Sequence, residues 1–86
     1  MKYKLEVKPS VLKTLEKIDP IYRQKIRDKI RLLSSEPRHY GSIKLSGEEN
    51  AYRTRVGKYR IIYEIYDLKV LVCVVNVDHR KDVYRG

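Results

Sequence analysis

Arg53, Arg55 and Arg60, joined towards the C-terminus by His79, Arg80 and Tyr84, are the residues whose types could do chemistry in this chain. Arginine presents a planar, permanently charged fork that grips anionic oxygens in pairs. Histidine, with an ordinary pKa of about 6.5, and tyrosine can carry a proton. Such a set can hold an anion and move protons beside it. The chain offers no defensible carboxylate pair of the glycosidase kind and no Ser-His-Asp set. Its two histidines and single cysteine stand far apart and give no metal-ligand spacing, so no metal or other cofactor is expected.

A hairpin positions the arginines. Tyr52 to Tyr63 (YRTRVGKYRIIY) alternates around Gly57-Lys58, and glycine in the first central position supplies the positive φ of a type II′ turn. That turn sets Val56 opposite Tyr59, Arg55 opposite Arg60 and Arg53 opposite Ile62. Opposed residues project from the same face, so three guanidinium groups share one surface. Like charges directly opposed destabilise a strand pair by up to about 1 kcal/mol, and something anionic is the natural counterpart. With Asp67-Leu68 read as a two-residue turn, Arg60 falls opposite Val75, and Val77 and His79 fall on the arginine side.

The remaining elements follow from periodicity. Met1 to Lys8 alternates like a half-buried strand, with Tyr3, Leu5 and Val7 on one side. Val11, Leu12, Leu15 and Ile18 mark a short helix opened by Pro9 and broken at Asp19-Pro20. Asp19 then caps a second helix with Pro20 in its first turn. Tyr22, Ile26, Ile30 and Leu33 form its apolar stripe, while Arg23, Lys25, Arg27, Lys29 and Arg31 make a solvent-exposed or docking face. The helix ends near Ser35-Glu36, because the residue before Pro37 is pushed out of the helical region. Arg38 to Asn50 has neither period and is expected to be a loop, with His39 at the surface and Ile43 and Leu45 pinned to the core. Val70 to Val75 is a continuous apolar run, expected to be a central strand buried on both faces. Tyr3, Tyr22, Tyr59 and Tyr63 close the core. The order is βααβββ, a single α+β domain over residues 1–86 with two N-terminal helices on one face of a mainly antiparallel four-stranded sheet.

Composition narrows the partners. Twenty Lys and Arg against eleven Asp and Glu give a formal charge of +9, which suits RNA, DNA or an acidic protein chain. A lone cysteine, Cys73, excludes a disulfide framework, and no apolar run reaches membrane-spanning length. A cytoplasmic protein without a membrane partner is expected.

The run Pro37…Gly41…Lys44-Leu45…Gly47…Tyr52-Arg53-Thr54-Arg55-Val56-Gly57-Lys58-Tyr59-Arg60-Ile61-Ile62-Tyr63-Glu64, followed by Val77-Asp78-His79-Arg80-Lys81-Asp82-Val83-Tyr84, resembles the RelE toxins of the RelE/ParE superfamily over nearly the whole chain. The resemblance implies a type II toxin–antitoxin toxin, a ribosome-dependent endoribonuclease that cuts mRNA in the A site of the 30S subunit and is held inactive by an antitoxin in a hetero-oligomer. It carries cleavage onto Arg53, Arg55, Arg60, Arg80 and Tyr84. With arginine at both second-strand positions the proton shuttle is expected to fall on His79 and Tyr84, and Lys44, Lys58 and Lys81 are expected to join Arg53 and Arg55 as RNA contacts. Arginine at both second-strand positions departs from the lysines often found there, and Asp78 stands where glycine is frequent. The alternative within the same superfamily is a ParE-like toxin that blocks DNA gyrase by binding, without nuclease chemistry.

Overall fold

The alternation around Gly57 closes as the turn chemistry requires. The computed structural model describes residues 2–79, and in it β3 (Ala51–Val56) and β4 (Tyr59–Tyr66) pair antiparallel, with Val56 opposite Tyr59, Arg55 opposite Arg60 and Arg53 opposite Ile62. Gly57 has φ +57°, as the first central residue of a type II′ turn needs. Upstream lie β1 (Lys4–Val7), α1 (Pro9–Glu16), α2 (Pro20–Ser35) and β2 (Ile43–Lys44); β5 (Leu71–His79) follows a single 3-10 turn at Asp67–Lys69. The sheet order is β1-β5-β4-β3-β2, antiparallel except where β1 runs parallel to β5.

Two helices and a mostly antiparallel sheet are as the sequence indicates, with a fifth strand added. β2 is only two residues long and pairs with Tyr52 and Arg53, too short to carry a period of its own. Ile43 is consequently half out in solvent at 49% exposure, and Leu45 is only half-buried. β5 is central, yet Val70 lies outside it in a left-handed conformation (φ 49°). Only one face of the run is fully buried, by Val72 and Val74, while Leu71, Cys73 and Val75 are half-buried.

Both helices cover one face of the sheet. Asp19 accepts a hydrogen bond from the Ile21 amide (2.9 Å) and caps α2, whose Ile26, Ile30 and Leu33 are buried against Ile61, Tyr63, Val72 and Val74. Truncating a fully buried Ile26 or Leu33 to alanine costs about 2–5 kcal/mol by the usual transfer and cavity effects. Arg23 is not part of a free basic face. Its Nε donates to Leu15 O (2.9 Å), which also accepts from the Ile18 amide (3.1 Å), and its Nη2 donates to Ile18 O (3.0 Å) just past the end of α1, so the guanidinium is spent on main-chain carbonyls. Among the described residues no helix is long and apolar enough to cross a membrane.

The turn and α2 are fitted to each other at one point. A Cβ placed on Gly57 would stand 2.7 Å from Tyr22 Cε1, in a backbone conformation that side chains other than glycine disfavour by about 1–2 kcal/mol. Gly57→Ala should therefore lower Tm by about 4–8 °C per kcal/mol lost in thermal denaturation. An unchanged Tm would show that the turn does not hold the register.

Candidate functional site

Arg53 and Arg55 on β3 and Arg60 on β4 project from the sheet face away from the helices, and Arg55 and Arg60 are directly opposed. Arg55 is exposed; Arg53 and Arg60 are half-buried. Across β4–β5 the facing residue is Asp78, whose Oδ1 lies 3.4 Å from Arg60 Nε. Both atoms are shielded from solvent, and the geometry is too poor for a hydrogen bond. The carboxylate thus offsets part of the charge that two opposed arginines build up, without saturating the guanidinium fork.

This pairing overturns the expected register. The connection to β5 spans Asp67 to Val70 rather than two residues, which by itself keeps the same residues on the arginine face. Val75 then bulges: Tyr63 pairs with Val74 and Ile62 with Asn76, leaving Val75 as an extra residue that swaps the faces beyond it. Arg60 faces Asp78 instead of Val75, Val77 is buried opposite Ile61, and His79 is opposite Tyr59 on the helix side. The His79 ring meets the Tyr59 ring edge-on at 5.2 Å. His79 therefore does not join the arginines.

Two lysines also lie elsewhere. Lys44 donates to Glu48 O (2.9 Å) and Glu49 O (2.8 Å), with its Nζ 5.8 Å from the Tyr52 ring on the helix side. Lys58, exposed in the turn, leans towards Tyr22, 5.9 Å from its ring. Arg80, Lys81 and Tyr84 lie outside the described residues.

The segment between α2 and β2 is held at several points beside β3. Arg38 makes a two-pronged contact with Asp67 (Nη2–Oδ2 2.8 Å, Nη1–Oδ1 3.1 Å) and donates through Nε to Tyr52 Oη (3.1 Å), while Tyr3 Oη donates to Asp67 Oδ1 (2.7 Å). Tyr63, buried beneath, donates to Pro37 O at 2.6 Å, and burial pushes its phenol pKa up to about 12. His39 bridges Glu36 O (Nδ1, 3.1 Å) and Thr54 Oγ1 (Nε2, 2.8 Å). A carbonyl only accepts, so Nδ1 donates to Glu36 O, and Nε2 shares a hydrogen bond with the Thr54 hydroxyl. Thr54 is buried, and His39 supplies the partner its hydroxyl requires. A surface histidine was expected here; its role is visible only once β3 is placed against the loop, as is that of Asp78.

Residues 5–84 match the family model described as the ParE toxin of type II toxin–antitoxin system, parDE. The archaeal RelE–RelB complex from Pyrococcus horikoshii OT3 contains a similar chain, 25% identical with a TM-score of 0.81, covering 93% of this chain and 97% of that one. The toxin–antitoxin complex RelBE2 from Mycobacterium tuberculosis gives 27% identity and a TM-score of 0.80 over 93% and 100%. The isolated E. coli RelE toxin gives 29% identity and a TM-score of 0.77 over 96% and 92%.

Two outcomes test this geometry. Arg38 and Tyr3 hold the Asp67 carboxyl below its usual pKa, so the stability from that contact is complete above the ordinary value of about 3.9 and is lost as pH falls below it. Tm curves of wild type and Arg38→Ala should converge on acidification below about pH 4; curves that stay parallel contradict the contact. Asp78→Asn should elute from heparin at higher salt than Asp28→Asn, an equal charge change on the exposed face of α2. Equal elution would mean that Asp78 does not offset Arg60.

Proposed function

The chain belongs to the ParE/RelE family of type II toxin–antitoxin toxins, and from that premise we propose that it is an endoribonuclease that cuts mRNA in the ribosomal A site without metal. One observation carries this reading: Arg53, Arg55 and Arg60 emerge from adjacent strands onto one face. In such a reaction the 2′-oxygen bonds to the adjacent phosphorus and the P–O5′ bond breaks, so negative charge grows on the phosphoryl oxygens and on the departing 5′-oxygen. Permanently charged, bidentate arginines answer that charge, and fixed donors of this kind commonly account for about 10²-fold or more in rate. Arg60 is assigned to the phosphoryl oxygens together with Arg80. Arg53 and Arg55 hold the flanking backbone.

A proton must leave the 2′-hydroxyl and another must reach the 5′-oxygen. Neither arginine of β3 can give one up at working pH, and His79 is turned against Tyr59. The transfer is therefore assigned to Tyr84, from the family likeness. A gyrase-blocking ParE-like action has no use for a phosphate clamp of this composition.

The relatives from P. horikoshii and M. tuberculosis are complexes with an antitoxin. We assign this chain an acidic antitoxin likewise, since its +9 charge favours a negatively charged segment that folds on binding.

Purified chain added to ribosomes programmed with mRNA should yield cut message, read by primer extension, and a gyrase–DNA adduct in place of cut message would overturn the proposal. Arg60→Ala and Arg80→Ala should each lower cleavage by about 100-fold or more, with folding retained by circular dichroism. Near-wild-type cleavage by either variant removes that residue from the clamp.

A further inference from the structure

A second feature adjoins the arginine face and concerns what holds the RNA around the cut. β2 pairs with β3 only at Tyr52 and Arg53, and just beyond lies a cleft of about 260 Å³ lined by Lys29 of α2, Tyr40, Gly41, Ile43, Arg53, Thr54 and Arg55. Among the described residues, three cations and no acid line it. Tyr40 is fully exposed, at 104%. An uncovered aromatic ring on a loose loop would mean little, but this loop is tied on both sides of the ring. His39 bonds Glu36 and Thr54, the Ser42 amide donates to His39 O (3.0 Å), and Gly41 adopts φ +97° to make that bend. The entropy of ordering the backbone around Tyr40 is therefore spent on folding, before any ligand arrives.

We propose that this cleft is a subsite for single-stranded RNA, in which one unstacked base lies on the Tyr40 ring and the neighbouring phosphates meet Lys29, Arg53 and Arg55. Aromatic stacking beside a cationic groove is how single strands are held without base-specific contacts. The volume is below the roughly 300–1,000 Å³ of sites for drug-sized ligands and suits one base. An acidic protein segment would use the lysine and arginines but has no need of an exposed ring held in place. This proposal rests on the RNA-cleaving reading and adds to it a base position beyond the arginine clamp.

The test is fluorescence anisotropy of a labelled single-stranded RNA dodecamer with wild type, Tyr40→Phe and Tyr40→Ala. Tyr40→Phe should bind like wild type, and Tyr40→Ala should bind about tenfold more weakly. Lys29→Ala should weaken binding and lower the salt dependence by about one counterion. Equal affinity of Tyr40→Ala and wild type would overturn the proposal, as would a loss seen with polyglutamate rather than with RNA. The clamp is judged separately: wild type that binds the dodecamer through Tyr40 yet leaves mRNA whole on programmed ribosomes would end the nuclease reading and keep the subsite.

Discussion

The side chains that share a surface with Arg53, Arg55 and Arg60 are selected by one extra residue in β5. Period-two alternation makes a strand's faces all-or-none, so a single bulged residue reassigns every side chain beyond it. Val75 is that residue. Before it, Val72 and Val74 point into the helical core; after it, Val77 does, and Asp78 rather than His79 is carried to the arginines. The core gains a third valine from the same irregularity that gives Arg60 its carboxylate partner. Packing and site chemistry thus depend on a common backbone feature.

The electrostatics of the face follow from that arrangement. Two arginines directly opposed across β3–β4 repel, and the fold tolerates them with one half-buried carboxylate whose contact with Arg60 is an ion pair lacking hydrogen-bond geometry. Such a pair is worth little as a stabilising contact, since partial burial costs desolvation that an imperfect geometry does not return. Its consequence is instead a guanidinium held beside a carboxylate that it does not hydrogen-bond through Nε. The loop next to β3 is treated the opposite way. Arg38, His39 and the main chain around Pro37 are bonded to side chains of two strands, β3 and β4, while Tyr40 next to them is left bare.

Much of this was legible in the sequence where local rules act alone. Gly57 at a two-residue turn fixed the β3–β4 register, Asp19-Pro20 marked the start of α2, and Pro37 marked its end, because each is a short-range backbone effect. The apolar stripe of α2 and the core tyrosines were visible as periodicity. What escaped depends on contacts remote in sequence. β2 has two residues and exists only because β3 offers an edge. Arg23 looked like solvated charge until α1's carbonyls lay beside it. The bulge at Val75 sits in an unbroken apolar run with no glycine or proline to signal it, and so Asp78 and His79 exchanged places.

RNA cleavage of the proposed kind requires a phosphate backbone on the face bearing Arg53, Arg55 and Arg60. Side-chain ¹⁵Nε NMR of the arginines, with the His79 ring as an internal monitor, measures it directly during titration with a 2′-O-methyl RNA that cannot be cut. The Nε signals of Arg53, Arg55 and Arg60 should move together while Arg23 and His79 stay in place. Shifts confined to Arg23, His79 and their neighbours on the helix side, with those three arginines unmoved, would contradict it.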